Sequence, residues 1–431
     1  MCIRDRSQVG WTTWETGTRY AQMGFTMVVE PAMGPSGALH THLELADIPI
    51  IDRAALVVLG NDDFLLSRLR DGASEAEIDD YVAWQVSAAG ALGVKCINAG
   101  GSAAFKADVR TFGFDDEVPG YGLSSRHIVK ALQDSVQRLG IAHPLHVHCN
   151  NLGVPGEGEA AAEATMLAAE GVPMHLAHIQ FYGYGTDGRR GFSSQARRLA
   201  DLVNARPELT VDIGQVMFGQ TVTISSDELR QFAGRPLARP RKSAIIDGDA
   251  NGGGAVPMNY RRADYYNAMQ WAIGLELFLM IDDPWRVFFT TDHPNGAPFT
   301  TYPDLFALLM SRDLRTEWLD ALPPGVRKRS ALADLSREYT LPEIAIMTRA
   351  APARLLGLPD RGTLAPGARA DIAVYRPGAD VAAMFGAAEH VLKDGVPVVR
   401  GGRVTATPAG HTMALSRPRD RAMVRRLETF Y

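Results

Sequence analysis

The chain has 431 residues, with 44 basic and 49 acidic side chains and a formal net charge of −5 at pH 7. Its 46% hydrophobic and 22% charged residues are typical of globular proteins, which excludes a disordered, fibrous or coiled-coil chain. The charge balance gives no basic surface for nucleic acid, and no apolar run is long enough to span a membrane. Scattered cysteines and an N-terminus without an apolar signal sequence favour a cytoplasmic protein.

Short apolar strands alternate with helical patterns along most of the sequence. The predicted strands are 25–30, 93–98, 145–149, 174–180, 209–216 and 287–291. The predicted helices are 75–89, 124–139, 157–170, 193–204, 263–279 and 341–356. Strands that alternate with helices predict a parallel α/β sheet, and at this length a TIM-like (β/α) barrel.

The character of the sequence changes after Leu358. Residues 359–431 are rich in turns and short alternating strands, and Val396–Arg400 followed by two glycines predicts a hairpin. We therefore expect a barrel over residues 11–358 and a small β domain over residues 359–431. Residues 1–10 match neither pattern, so we expect them to be a spurious leader.

Four polar side chains lie at or near the ends of predicted strands: Lys95, His148, His178 and Asp292. The carboxyl ends of the strands in a parallel barrel line one face, where active sites are built. Because the four residues lie on successive parts of the sheet, we expect them around one rim. Imidazoles and carboxylates are ligands that zinc prefers, so the set indicates a metal site.

Each of these residues also has a structural interpretation. A lysine within an apolar strand can be an ion-paired ammonium. Alternatively, burial near cations lowers its pKa, and the neutral amine can add CO2 to form a carbamate that bridges two metals. A single buried histidine is more often a hydrogen-bonded core residue than a ligand. Asp292 either binds a metal and takes a proton from the attacking water or caps a turn.

His40 and His42 form an HxH motif, which is the usual start of such a metal site. The motif follows a Pro-Ser-Gly loop at 35–37, and the strand before it carries Glu30. We therefore expect His40 and His42 to have a substrate-loop or structural role and not to bind zinc.

With these residues in place, the chain resembles the amidohydrolase superfamily. The segment TRAAPARLLGLPDRGTLAPGARADIAVY at 348–375 is similar to the one in which the last barrel helix leads into a β-sandwich. Within the superfamily the chain resembles the A subunits of formylmethanofuran dehydrogenases, a family that includes the hydrolytic subunit of the bacterial formyltransferase/hydrolase complex. The resemblance runs from about Thr16 to Arg400, and its most specific segments are GVKCINAGG, HVHCNNLG, HLAHIQFYGYG and TTDHPNGAPF.

The resemblance implies a hydrolase with two zinc ions. By position, the family's carboxylated lysine falls on Lys95, its histidine ligands on His148 and His178, and its metal-bound catalytic aspartate on Asp292. The family's first-strand HxH motif is absent before residue 25. We therefore expect a barrel that lacks its first strand, with a β-sandwich remnant at the C-terminus.

The implied reaction is reversible hydrolysis of the N-formyl amide of formylmethanofuran to formate and methanofuran, in which Asp292 passes a proton to the leaving amine. The implied partners are the other subunits of such a complex. Polar residues near strand ends are candidates to bind substrate: Asn150, Asn151, Gln180, Gln215, His293 and Asn295. The alternatives are a generic amidohydrolase of cyclic amides or imides, and a scaffold subunit without metal.

Overall fold

The computed structural model describes residues 11–109, 111–225, 246–247, 254–416 and 421–430, so the expected leader at 1–10 lies outside the described residues. The strands in chain order are β1 (Met27–Met33), β2 (Asp52–Leu59), β3 (Gly93–Ile97), β4 (Glu117–Val118), β5 (Leu123–Ser124), β6 (Leu145–His148), β7 (Met174–Leu176), β8 (Tyr184–Gly185), β9 (Ser193–Ser194), β10 (Leu209–Asp212), β11 (Gly219–Ser225), β12 (Ile246–Asp247), β13 (Gly254–Tyr260), β14 (Val287–Phe288), β15 (Ile372–Val374), β16 (His390–Lys393), β17 (Val396–Arg400), β18 (Arg403–Val404) and β19 (Thr412–Met413).

The α-helices connect and surround these strands. In chain order they are α1 (Thr13–Gln22), α2 (Ala38–Ala46), α3 (Asp63–Arg70), α4 (Glu75–Ala88), α5 (Gly101–Lys106), α6 (Ser125–Arg138), α7 (Glu157–Leu167), α8 (Ala196–Ala205), α9 (Tyr265–Met280), α10 (Tyr302–Met310), α11 (Arg312–Asp320), α12 (Pro324–Arg329), α13 (Leu341–Ala345), α14 (Ala351–Leu355), α15 (Val381–Gly386) and α16 (Arg421–Phe430). Four 3₁₀ turns occur in the described residues, at Pro35–Gly37, Ile179–Tyr182, Phe299–Thr301 and Leu332–Asp334.

Seven parallel strands form the wall of a (β/α) barrel. They follow the order β1-β2-β3-β6-β7-β10-β14, and neighbouring strands are parallel. Within the described ranges β1 and β14 each pair on one side only, whereas a closed TIM barrel has eight strands. The predicted fold, a TIM-like α/β barrel with one strand fewer, is confirmed.

Local sequence explains where several helices begin. Ser124 is the N-cap of α6, and its hydroxyl lies 3.0 Å from Nδ1 of His127. Asp264 caps α9 by accepting hydrogen bonds from the next turn, from the backbone N–H of Tyr266 and Asn267. Almost every side chain of α9 is buried, which places this apolar helix inside the molecule beside the sheet.

Two differences from the predicted elements have physical reasons. β2 was not among the predicted strands, because the apolar run that forms it begins with the charged pair Asp52 and Arg53, both buried here. The predicted helix 341–356 is interrupted by a π-helical turn at 346–350. Pro352 lacks the N–H that a regular α-helix needs, so the hydrogen-bond pattern shifts just before it.

The C-terminal region is fixed to the barrel by buried charges. β15 to β18 form an antiparallel four-stranded sheet, with the predicted hairpin between β17 and β18. Asp52 of β2 contacts the guanidinium of Arg361 at 2.5 Å and Nζ of Lys393 at 3.2 Å. These groups are less than 9% exposed, so removal of one partner would leave a buried charge uncompensated.

The region after residue 358 is not purely β. It contains two helices, α15 and α16, and its strand β19 pairs with β2 of the barrel wall. The end of the described chain therefore returns to the barrel instead of remaining in the small sheet. No helix among the described residues has the length and apolar character needed to cross a membrane.

Candidate metal centre

Two histidines meet at the carboxyl ends of neighbouring barrel strands. His148 is the last residue of β6, and His178 follows β7 by two residues. Nδ1 of His148 lies 3.0 Å from Nε2 of His178, with the rings nearly perpendicular at 81°. For comparison, two zinc ligands with bonds of about 2.1 Å and tetrahedral angles lie about 3.4 Å apart. The two nitrogens are therefore close to the separation that a shared zinc ion requires.

Lys95 is the central residue of β3 and is 4% exposed. Its Cα pairs with His146 of β6, the strand that carries His148. We find no hydrogen bond or ion pair of its amine with any described residue.

Electrostatics in the barrel keep the two histidines neutral. Desolvation, with the charges of His178 and Lys95, holds the pKa of His148 well below its usual range. Burial lowers the pKa of His178, an effect that Asp292 opposes and Lys95 strengthens. Neutral imidazole is the form that binds metal ions, so both rings are in the ligand state at neutral pH.

Asp292 follows β14 in a tight turn. Its backbone has a φ of 49°, in the left-handed region, and its N–H donates to the hydroxyl of Thr290 at 2.9 Å. Its carboxylate Oδ2 accepts a hydrogen bond from the amide of Asn295, also at 2.9 Å. The predicted substrate residue Asn295 therefore orients Asp292, while the exposed ring of His293 lies between Trp11 and Phe299.

Glu30 of β1 is a candidate site residue that the sequence analysis did not assign. Burial raises its pKa, with a further increase from Asp292 and an opposite effect from Lys95, so its carboxylate shares an electrostatic environment with both. The hydrogen bond from the N–H of Ala32 at 2.9 Å also opposes the increase. In the sequence, this role was indicated only by the position of Glu30 as a single acidic residue at the end of the apolar run FTMVVE.

Four predicted substrate residues make contacts inside the protein. Asn150 donates to Ser125 at 2.9 Å, and Asn151 accepts from the N–H of Phe112 at 3.2 Å. The amide of Gln180 donates to the hydroxyl of Tyr184 at 2.8 Å, and that of Gln215 donates to carbonyls of Val216 and Trp271 at 2.7 and 3.1 Å. These hydrogen bonds direct the amide groups of Gln180 and Gln215 to other parts of the protein and not to His148 and His178.

His40 and His42 lie on α2, apart from this group. Nε2 of His40 is 3.9 Å from the carboxylate of Glu44, and the side chain is 84% exposed. Nε2 of His42 lies 2.8 Å from the carbonyl of Ala89. His40 thus has a surface contact and His42 a contact with the backbone, and that neither binds zinc stays a prediction.

Comparison with known proteins agrees with this architecture. A model of the amidohydrolase family matches residues 8–403. The chain belongs to the amidohydrolase family.

Two curated relatives define the position of the chain within the amidohydrolases. It is 52% identical over 419 residues to the Fhc A subunit of the formyltransferase/hydrolase complex of Methylorubrum extorquens, covering 96% of this chain and 76% of that protein. It is 38% identical over 422 residues to protein FwdA of Methanocaldococcus jannaschii, covering 93% and 74%. The predicted relationship to this group of amidohydrolases is confirmed.

Solved structures give the same result for the fold. The crystal structure of the FhcABCD complex from Methylorubrum extorquens with methylofuran matches with a TM-score of 0.92 and 52% identity, covering 97% of this chain and 77% of that one. The zinc-containing N-acyl-D-glutamate deacylase of Bordetella bronchiseptica matches with a TM-score of 0.52 at 15% identity, which shows a shared amidohydrolase fold.

Proposed function

We propose that the protein is a zinc-dependent formylmethanofuran hydrolase, the A subunit of a complex of the formyltransferase/hydrolase type. It would catalyse the reversible hydrolysis of the N-formyl amide to formate and methanofuran. The observation that carries the proposal is the distance of 3.0 Å between ring nitrogens of His148 and His178 at the rim of the barrel. The sequence of this chain is 52% identical to that of the Fhc A subunit. The other subunits of such a complex are the proposed partners.

The described residues fit a zinc site by their chemistry. Two neutral imidazoles face each other, a carboxylate follows the last wall strand, and a buried lysine makes no hydrogen bond or ion pair among the described residues. We propose that two zinc ions are held by His148, His178 and Asp292, and by Lys95 as its carbamate. When bound, zinc supplies a Lewis acid for the formyl oxygen and lowers the pKa of water.

Asp292 is the proposed general base and acid. It would take the proton of the attacking water and deliver it to the amine nitrogen as the carbon–nitrogen bond breaks. The hydrogen bond from Asn295 to Oδ2 leaves Oδ1 as the oxygen available for this transfer. The Thr290 hydroxyl fixes the backbone of Asp292, so the carboxylate stays oriented between the two steps.

His293 is the strongest remaining candidate for a substrate contact. His293 is an exposed residue whose ring stacks on Trp11 at 6.0 Å, and we propose that a flat ligand packs beside this pair of rings. Asn150 and Asn151 would stabilise the loop after β6, next to the substrate, through the hydrogen bonds described above. Gln180 and Gln215 would stabilise the segments that follow β7 and β10 through theirs.

The test is hydrolysis of formylmethanofuran by the protein purified with its partner subunits, measured as formate released, together with zinc content by mass spectrometry. We expect formate release that requires zinc and two zinc ions per chain. His148→Ala and His178→Ala should each lower zinc content, while His40→Ala should leave it unchanged. A protein that hydrolyses a cyclic imide but not formylmethanofuran would contradict the proposal.

A further inference from the structure

A second polar cluster lies inside the barrel, made of His146, His175 and Asp212. Each offers a buried atom, and the three atoms lie within 4.8 Å of one another. Oδ2 of Asp212 is 3.2 Å from Nε2 of His175 and 3.5 Å from Nε2 of His146. The cluster adjoins the candidate metal centre along β6. His146 precedes His148 by two residues on that strand, so both side chains lie on the same face of the sheet.

The other oxygen of Asp212 reaches the candidate ligand itself. Oδ1 accepts a hydrogen bond from the backbone N–H of His178 at 2.6 Å. His178 has φ 35° and ψ 51°, the left-handed region that residues with a side chain rarely adopt. This bond therefore holds the residue in a conformation that it would not favour by itself.

Close packing supports the same conformation from a second direction. A Cβ added to Gly214, two residues after Asp212, would lie 2.5 Å from Cβ of His178. Glycine at this position therefore lets the backbone after β10 approach His178 directly. Asp212 therefore contacts His178 through its carboxylate, and Gly214 contacts it through its backbone, which has no side chain to keep the two apart.

The two histidines of the cluster orient the carboxylate. Nδ1 of His175 is 2.8 Å from the hydroxyl of Thr210, which fixes the ring while its Nε2 faces Asp212. With His146 on the same oxygen, the cluster leaves Oδ1 directed at the His178 N–H. A carboxylate with donors on both oxygens has a fixed orientation, so Asp212 can hold the backbone of His178 in place.

We propose that Asp212, oriented by His146 and His175, is a positioning residue that sets the imidazole of His178 for metal binding. The inference rests on the proposed function, since it assigns a purpose to the geometry of a proposed zinc ligand. The same three side chains could instead hold a cation of their own, and the experiment separates these cases.

The experiment compares wild type, Asp212→Ala, Asp212→Asn and His143→Gln in the purified complex. His143 is the matched control, because its buried ring packs against His146 and His175 while its Nδ1 is 2.6 Å from the carbonyl of Pro144. The readouts are zinc per chain, the rate of zinc transfer to a chelator, and the rise in thermal midpoint that zinc causes.

We expect Asp212→Ala to release zinc roughly 10- to 100-fold faster, the usual effect of losing a partner that orients a ligand. Asp212→Asn should release zinc at an intermediate rate, because its carbonyl can still accept the His178 N–H. His143→Gln should resemble wild type. A purely structural role would lower the midpoint of Asp212→Ala equally with and without zinc, whereas positioning reduces the stabilisation that zinc provides.

Release from Asp212→Ala at the wild-type rate would overturn the inference. So would a third zinc in wild type that Asp212→Ala alone loses while it keeps the other two. If Asp212→Ala cannot be recovered folded, faster release from Asp212→Asn than from His143→Gln supports positioning, and equal rates refute it. A wild-type protein without zinc would refute the proposed function itself.

Discussion

Glu276 gives a prediction of pH-dependent stability. It lies in the middle of α9 with no exposed surface, where its carboxylate accepts hydrogen bonds from the hydroxyl of Ser194 and the backbone N–H of Ala331. Burial raises its pKa to about 7 from an ordinary value of 4.5, against the opposite effect of these bonds. Ser194 lies on β9, in the segment between His178 and α8, so Glu276 joins α9 to that segment.

The direction of the effect follows from linkage. The folded protein binds the proton of Glu276 more tightly than the unfolded chain does, so the stabilisation is fully present below pH 4.5 and is lost as the pH rises through about 7. Each pH unit between the two pKa values corresponds to about 1.4 kcal/mol, which gives a loss of about 3 kcal/mol in total. With an unfolding entropy of about 0.9 kcal/mol/K for a chain of this length, the loss corresponds to about 4 °C in the midpoint.

The substitution that isolates this effect is Glu276→Gln. Glutamine is neutral throughout, and its amide can keep both contacts if the Ser194 hydroxyl turns to accept. We expect the midpoint of Glu276→Gln, relative to wild type, to rise by about 4 °C between pH 4.5 and pH 8. Circular dichroism on both proteins measures the difference, with the exposed helical residue Glu317→Gln as control. A difference that stays constant with pH would refute the reasoning.

Further predictions concern the proposed site. Asp292→Asn should keep zinc and fold while formate release falls by roughly 10²-fold or more, because the general base is lost; turnover within a few-fold of wild type would exclude this role. Lys95→Ala should lose zinc and activity, with partial recovery in short carboxylic acids that replace the carbamate, and two zinc ions retained in that variant would contradict it. His40→Ala and His42→Ala should retain wild-type zinc content, which the same metal analysis checks.

The parts of the fold that depend on local chemistry were predicted from the sequence. The helix predicted at 75–89 is observed at Glu75–Ala88, because an apolar periodicity runs through the segment and Ser74 caps it from the position directly before. Lys95, His148, His178 and Asp292 were predicted to share one rim, because a parallel sheet gathers the carboxyl ends of its strands. That argument needs only strand positions, which a run of apolar residues provides. The structure brings His148 and His178 together, whereas Lys95 lies in the middle of β3.

Side-chain direction after a strand ends was not predictable in the same way. The strand predicted at 209–216 stops at Asp212, and Gln215 turns its amide to the carbonyls of Val216 and Trp271. The contribution of Glu30 depends on how β1 faces Lys95 and Asp292, which is a tertiary property. The Asp212 contact joins residues 34 positions apart, and no local pattern marks it.

The backbone at the rim connects these observations. Four residues that follow wall strands have positive φ: Asn98 (43°), Asn151 (56°), His178 (35°) and Asp292 (49°). Asparagine, aspartate and histidine adopt this region more often than other side chains do, at a cost of up to about 1–2 kcal/mol each, and His178 and Asp292 are proposed metal ligands. Each of the two has its backbone N–H held by a polar side chain, Asp212 for His178 and Thr290 for Asp292. The same kind of hydrogen bond therefore offsets the strain at both positions and fixes both residues at the rim, as the proposed metal site requires.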